Sequence, residues 1–185
     1  MPHFLVSGVA AQAAAVAEAL RGDGATVVEV DDIADVPKVC AEAGPAAFDG
    51  YVQLPASFDI RGETAVERVH HWFADGVLAR FPAVAAALPA LAEGARLTVV
   101  LGVLPPEVAT DDDVTARSAL VRILGHAARA DGPGLRVGVL GAGTDAAEIA
   151  RVVSGRGPRR VDDAETTASF ADWRVEILGL MSVEG

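Results

Sequence analysis

The stretch FLVSGVAAQAAAVAEALRGDGATVVEVD, residues 4–31, decides the fold of this chain. It opens inside a short apolar run at 3–9 and continues through an alanine-rich segment of helical character at 10–21. It closes on a second apolar run at 25–31, rich in valine. A strand, a helix and a second strand in this order predict two parallel strands joined by a right-handed crossover.

The same alternation of short apolar runs and helical segments continues to the end of the chain. Further strands are predicted at 48–55, 96–103, 135–142 and 175–181, and further helices at 34–43, 63–92, 111–130 and 145–153. The strands are nearly continuous in Val, Leu and Ile, which is typical of strands covered on both faces. We therefore predict a single α/β domain over 1–185, a three-layer α/β/α arrangement with about six mostly parallel strands. The segment 154–173 is predicted to be a loop or lid.

Composition and charge exclude several classes of partner. The net charge is -11 and the pI is near 4.7, the wrong sign for binding nucleic acid or an anionic membrane. The single cysteine, Cys40, excludes an internal disulfide and fits a reducing compartment. The first residues lack the basic start of a secretory leader, and Pro82 and Pro89 interrupt the longest apolar segment. We expect a cytoplasmic protein with no nucleic-acid and no membrane partner.

Five segments carry a resemblance to a known family. They are the opening strand–helix–strand unit, FDGYVQLPA at 48–56, the long helix ERVHHWFADGVLARFPAVAAALPAL at 67–91, the strand GARLTVVLGV at 94–103 that follows it, and VTARSALVRILGHAARADGPGLRVGVLGAG at 114–143. In this order they resemble the short-chain dehydrogenases/reductases, a Rossmann-type family that uses NAD(P). About one helix and one strand of the family are missing before residue 48. The strand at 25–31 therefore corresponds to either the second or the third strand of the family.

The catalytic residues that this resemblance implies are absent. The family uses a tyrosine as acid and base with a lysine four residues later, and these positions carry Val114 and Ser118. An assisting asparagine of the long helix is replaced by Phe73. The only tyrosine of the chain is Tyr51 and the only lysine is Lys38, and the two belong to different elements. Because valine cannot transfer a proton, the sequence predicts a truncated and degenerate relative without catalytic residues.

The cofactor turn that the resemblance implies is also incomplete. A dinucleotide turn needs glycines so that the backbone can approach the pyrophosphate. In SGVAAQA, residues 7–13, Gly8 remains, but Ala11 and Ala13 replace the later glycines. Asp31 ends its strand where a ribose-binding acid belongs, and Pro55 ends the strand beyond it. We expect no cofactor, with a remnant NAD(P) pocket at Gly8, Asp31 and Pro55 as the alternative.

The histidines do not predict a metal site. His70 and His71 are adjacent on a helix and point about 100° apart, so they cannot chelate one ion together. His126 has no cysteine or carboxylate at ligand spacing. The sequence therefore predicts no metal.

Apolar residues on two sides of the long helices predict contact between subunits. A helix that only rests on a sheet needs one apolar stripe. The second stripes, which we expect to form an interface, comprise Trp72, Ala79, Ala83, Val114, Val121 and Ala128. In the resembled family these helices form a four-helix bundle with a neighbouring subunit.

Together these features predict a catalytically inactive structural or regulatory subunit. Its partner is expected to be a second copy or an active ketoreductase or dehydrogenase homologue. One alternative is a sensor that binds a small ligand or nucleotide in the remnant pocket. Another is an oxidoreductase of altered mechanism in acyl or polyketide metabolism.

Overall fold

A computed structural model describes residues 1–56, 61–102, 111–132 and 134–156, and for 111–118 it describes the backbone alone. The strands are β1 (His3–Ser7), β2 (Thr26–Val30), β3 (Phe48–Gln53), β4 (Leu91–Val100) and β5 (Arg136–Leu140). The helices are α1 (Ala10–Gly22), α2 (Val36–Ala43), α3 (Ala65–Phe73), α4 (Arg80–Ala87), α5 (Asp111–Asp131) and α6 (Ala146–Val153). The predicted sixth strand at 175–181 and most of the predicted lid at 154–173 lie outside the described residues.

The five strands form one parallel sheet in the order β2-β1-β3-β4-β5. From β1 the chain first adds β2 on one side, and then adds β3, β4 and β5 on the other. The order therefore reverses between β1 and β3, and in sheets of this kind ligands bind beyond the carboxyl ends of the strands at that point. The predicted α/β fold of Rossmann type is confirmed.

The position of β2 resolves the ambiguity about the missing elements. β2 pairs directly with β1, with His3 opposite Thr26 and Ser7 opposite Val30. It therefore occupies the place of the second strand of the resembled family. Within the described part of the chain, β2 is the edge of the sheet, because no strand pairs with its outer side.

Helices cover both faces of the sheet, as the apolar strands require. On one face, α1 and α6 pack against side chains such as Val6, Val52 and Val100. On the other face, α2, α4 and α5 pack against Leu5, Leu97 and other strand residues. Two hydrophobic cores therefore hold the sheet between them.

The long helix predicted at 63–92 is interrupted in its middle. A capping box opens α3, in which Glu67 N–H donates to Thr64 Oγ1 (3.2 Å) and Thr64 N–H donates to Glu67 Oε2 (3.0 Å). Residues Ala74–Leu78 then form a π-helical turn, which Ala79 N–H closes by donating to Ala74 O (2.9 Å). Pro82, which has no N–H for an α-helical bond, follows in α4. The π turn advances the helix by one residue and so changes which side chains face the sheet.

This helical segment is also apolar. Ala65–Ala90 spans 26 residues and is long and apolar enough, by length and composition, to cross a membrane. In the structure its second half lies against the sheet, with Ala83, Val84 and Ala87 buried. These contacts are those of a helix packed within an α/β domain.

Candidate functional site

The three residues predicted for a remnant cofactor pocket lie together at the switch point between β1 and β3. Gly8 N–H donates to Val30 O (3.2 Å). Asp31 follows Val30 directly and is exposed. On the other side, Val9 N–H donates to Pro55 O (3.0 Å). The structure thus brings Gly8, Asp31 and Pro55 to the same end of the sheet.

Contacts within the protein occupy the glycine turn. Gly8 has φ of +129°, and a Cβ at this position would lie 2.7 Å from both Leu54 Cβ and Pro55 O. Only glycine tolerates this backbone and this approach. The Val9 amide, at the N-cap of α1, is already bonded to Pro55. Ala13, at a family glycine position, is fully buried against the sheet. At these positions the turn serves packing between β1, β3 and α1.

Beneath this turn lies a buried polar network that joins the carboxyl halves of the central strands. Ser7 Oγ on β1 lies 2.7 Å from Tyr51 Oη on β3. Gln53 Nε2 donates to Tyr51 Oη (3.3 Å) and to Arg80 O (3.1 Å). All four residues are buried. The network therefore replaces apolar packing at the ends of β1 and β3 with a set of directional contacts.

Arg80, on α4, holds the network to the next strand. Its Nε donates to Gln53 Oε1 (3.1 Å), and its Nη2 donates to Gln53 O (3.0 Å) and Val100 O (2.8 Å). The residue is only 2% exposed. A guanidinium can make these contacts together because its donors form a rigid planar fork. Arg80 therefore ties α4 to the ends of β3 and β4.

No motif in the sequence indicates this cluster directly. Arg80 is the one charged residue between positions 76 and 92, and Gln53 is flanked by Val52 and Leu54; these isolated polar positions are the available signal. The π turn contributes to the outcome, because Arg80 would lie about 80° from Trp72 around a continuous α-helix, whereas the extra residue of the turn brings it close to the direction of Trp72. In the structure Ala79 is half-buried and Arg80 is buried.

The only tyrosine is not placed for acid–base chemistry. Burial raises the pKa of Tyr51 to about 12, while hydrogen bonds from Ser7 and Gln53 and the charge of Arg80 oppose the rise. A catalytic phenol needs the opposite shift, toward the working pH. Lys38 lies exposed on α2, and Tyr51 is fully buried in β3. These two residues therefore do not form the family's couple.

The positions aligned with the family's catalytic residues add no reactive group where they are described. Phe73 is half-buried at the end of α3 and packs edge-on against Trp72, with ring centroids 4.5 Å apart. Val114 and Ser118 lie on the helical backbone of α5, and their side chains are outside the described set.

The remaining titratable candidates are scattered. His71 lies 3.6 Å from Asp75 on the helix surface. Burial, with Arg129 and Arg122 nearby, lowers the pKa of His126. Among the described residues, no group of three or more His, Cys, Asp or Glu side chains is placed to hold a metal ion.

The structure corrects most of the predicted interface. Trp72, Ala83, Val121 and Ala128 are buried within the chain, so they are not surface residues. On the long helix, the side that carries Trp72 and Ala83 faces the interior, and in α3 the outward side carries Val66 and Val69 instead. On α5, Val121 and Ala128 face the same core as Leu124. Ala79 is half-buried, and the Val114 side chain is outside the described residues.

The exposed apolar residues of the helical segment are different ones. Val66 is 80% exposed and Val69 45% exposed on α3, and Leu78 is 49% exposed at the end of the π turn. All residues from 61 to 70 are exposed. An outer face of α3, defined by Val66 and Val69, therefore has no cover from the described part of the chain.

Comparison with known proteins identifies the class of fold. No family model and no curated protein matches the sequence. A double mutant of a short-chain dehydrogenase/reductase from Serratia marcescens matches with a TM-score of 0.62 at 21% identity, over 85% of this chain and 90% of that one. The protein lin1944 from Listeria innocua matches with a TM-score of 0.60 at 18% identity, over 85% of this chain and 94% of that one.

A third similar structure contains a cofactor. BdcA in complex with NADPH matches with a TM-score of 0.57 at 17% identity, over 85% of this chain and 87% of that one. At identities this low, structural similarity establishes the fold alone, and the function has to be argued from the residues of the site. The chain therefore has the fold of the short-chain dehydrogenases/reductases, in divergent form.

Proposed function

We propose that this chain is a non-catalytic protein with the short-chain dehydrogenase/reductase fold, which acts by assembling with a second copy or with an active homologue. The observation that carries the proposal is the position of Tyr51. The only phenol of the chain is buried in a hydrogen-bonded network with Ser7, Gln53 and Arg80, with its pKa raised to about 12. It supports the fold and has no access to a substrate.

The outer face of α3 supports assembly as the mode of action. Val66 and Val69 are exposed one turn apart, and large apolar residues grouped on a surface mark sites of interaction. The neighbouring charges are of both signs, Glu67 and Arg68. A helix that lies on an anionic membrane is instead strongly basic on its polar side. A protein partner fits this helix better than a lipid surface.

The test is the mass of the protein in solution, measured by size exclusion with light scattering. One chain has a mass of 18.9 kDa. We expect the native chain, alone or co-expressed with a short-chain reductase, to elute as an assembly. The double variant V66D/V69D should elute as a monomer, because two carboxylates in an apolar interface would be desolvated.

A matched control separates loss of the interface from a general effect of charge. The variant A14D/A15D adds the same two charges to exposed positions of α1. It should assemble like the native chain. The proposal is overturned if the native chain elutes as a monomer both alone and with the co-expressed short-chain reductase. It is also overturned if the V66D/V69D variant assembles like the native chain.

A second candidate function is nucleotide binding in the remnant pocket. It is favoured by the grouping of Gly8, exposed Asp31 and Pro55 at the switch point, and by the NADPH complex of BdcA, which has the same fold. Against it stands the Val9–Pro55 hydrogen bond, since it engages a turn amide that would otherwise be available to a pyrophosphate. Titration with NADPH separates the two functions.

A further inference from the structure

A concave site lies at the opposite end of the sheet from the switch point. It has a volume of about 480 Å³, within the range of small-molecule sites. It lies where β1, β3 and β4 begin and where α6 ends. Its charged lining residues are Asp23, Asp49, Glu93, Arg96 and Arg156.

Arg96 is the distinctive residue of this amino-end cavity. It lies on β4, partly buried, opposite Gly50 of β3. Within the described part of the chain its guanidinium makes no hydrogen bond or ion pair, whereas the buried Arg80 is bonded to Gln53 and Val100. A partly buried arginine with unused donors, in a cavity large enough for a small molecule, is suited to bind an acceptor from a ligand.

The absence of a side chain at Gly155 leaves room for the Arg96 guanidinium. A Cβ on Gly155 would lie 2.6 Å from Arg96 Nη2 and 3.0 Å from Cζ and Nε, and the φ of this glycine is +76°. The guanidinium therefore lies close to Gly155, just after α6. Any side chain at 155 would push it away.

The other charges at the cavity are partly engaged. Arg156 Nη1 pairs with Asp23 Oδ1 at 2.8 Å. Asp49 Oδ2 accepts a hydrogen bond from His3 N–H at 2.8 Å. Glu93 is exposed at the rim. Among the side chains that line the cavity, Arg96 is thus the cation without a hydrogen bond or ion pair in the described part of the chain, and the carboxylates of Asp49 and Glu93 oppose a second negative charge beside it.

The rest of the lining is mixed. Ser154 and backbone groups around Gly94 lie beside small apolar residues such as Pro2 and Ala92. Phe4 and Val153 are buried and offer little surface to a ligand. The charged group is therefore the feature that selects and orients a ligand here.

We propose that the amino-end cavity binds a small organic molecule with a single carboxylate. The carboxylate accepts two parallel hydrogen bonds from Arg96. Inorganic phosphate carries more negative charge, which Asp49 and Glu93 oppose, and is expected to bind more weakly. This site lies outside the switch point and does not depend on whether the chain assembles.

The test is calorimetric titration of the full chain with benzoate, with benzyl alcohol and inorganic phosphate as comparison ligands. We expect saturable binding of benzoate at a Kd of about 1 mM or below, and at least about tenfold weaker binding of the other two. Arg96→Ala should weaken benzoate at least about tenfold. Arg96→Lys should recover part of the affinity, because it keeps the charge and loses the planar fork.

Two further variants make the result decisive. Gly155→Ala keeps Arg96 but displaces its guanidinium, and should weaken benzoate like Arg96→Ala. Arg136 is an exposed arginine on β5, opposite Arg96 of β4, and does not line the cavity. Arg136→Ala should therefore leave benzoate binding unchanged. The proposal fails if benzoate does not saturate the native chain, if alcohol or phosphate binds as well, or if Arg96→Ala and Gly155→Ala, confirmed as folded by circular dichroism, bind benzoate like the native chain.

Discussion

Replacing Arg80 by alanine tests the role of the buried network. The change removes the donors to Gln53 Oε1, Gln53 O and Val100 O, which lie at 3.1, 3.0 and 2.8 Å. Each buried acceptor that loses its donor lowers the free energy of unfolding by about 1–3 kcal/mol. The loss is toward the lower end for a carbonyl that keeps a second hydrogen bond. Three such acceptors, with the lost packing of the alkyl chain, give a destabilisation of about 3–5 kcal/mol.

The assay is equilibrium unfolding in urea, followed by tryptophan fluorescence. With a slope of about 2 kcal/mol per molar urea, the midpoint of Arg80→Ala should fall by about 2 M. Arg80→Lys should lose nearly as much, because one ammonium cannot reach acceptors on two strands and a side chain. The control is Arg122→Ala at an exposed position of α5, which should stay within about 0.5 kcal/mol of the native chain. A loss below about 1 kcal/mol for Arg80→Ala would refute this role of the network.

Two other predictions concern Tyr51 and the sheet edge. Tyr51 should ionise near pH 12 in the folded chain and near 10 in the unfolded chain, which tyrosinate absorbance measures directly because the chain has one tyrosine. Because the pKa of Tyr51 is raised in the folded state, its contribution to the free energy of unfolding should be complete below pH 10 and lost as the pH rises toward 12. Ionisation of Tyr51 near pH 10 in the folded state would contradict its burial. Arg21→Ala should promote self-association through β2, because Arg21 Nη2 donates to the Val27 carbonyl (3.3 Å) and pairs with Glu29 (2.7 Å) on that edge. An unchanged mass at high concentration would show that this pair does not protect the edge.

The order of the elements could be predicted from the sequence because it depends on local pattern. The apolar runs at 3–9 and 25–31 became β1 and β2, and the helix between them became α1, each within a few residues. The pattern could not say whether the strand at 25–31 lies next to β1. That depends on which strands pair, and pairing is a contact between distant residues.

The candidate site was harder to predict for a different reason. The grouping of Gly8, Asp31 and Pro55 followed from the general rule that parallel strands end at one edge of the sheet. The network around Arg80 did not follow, because it depends on one π turn at Ala74–Leu78. A helical wheel with a constant period places Trp72 and Ala83 on one side of the helix but cannot tell which of two apolar sides faces the sheet; in the structure both residues are buried.

The most direct measurement of the central claim is a calorimetric titration of the native chain with NADPH. The turn at Gly8 and Val9 packs against Pro55, and the only tyrosine lies in the core. On this account the chain does not bind the cofactor. We expect no saturable heat up to about 1 mM NADPH. Stoichiometric binding with a Kd of about 10 μM or tighter would contradict the claim that this fold has exchanged its cofactor site for internal contacts.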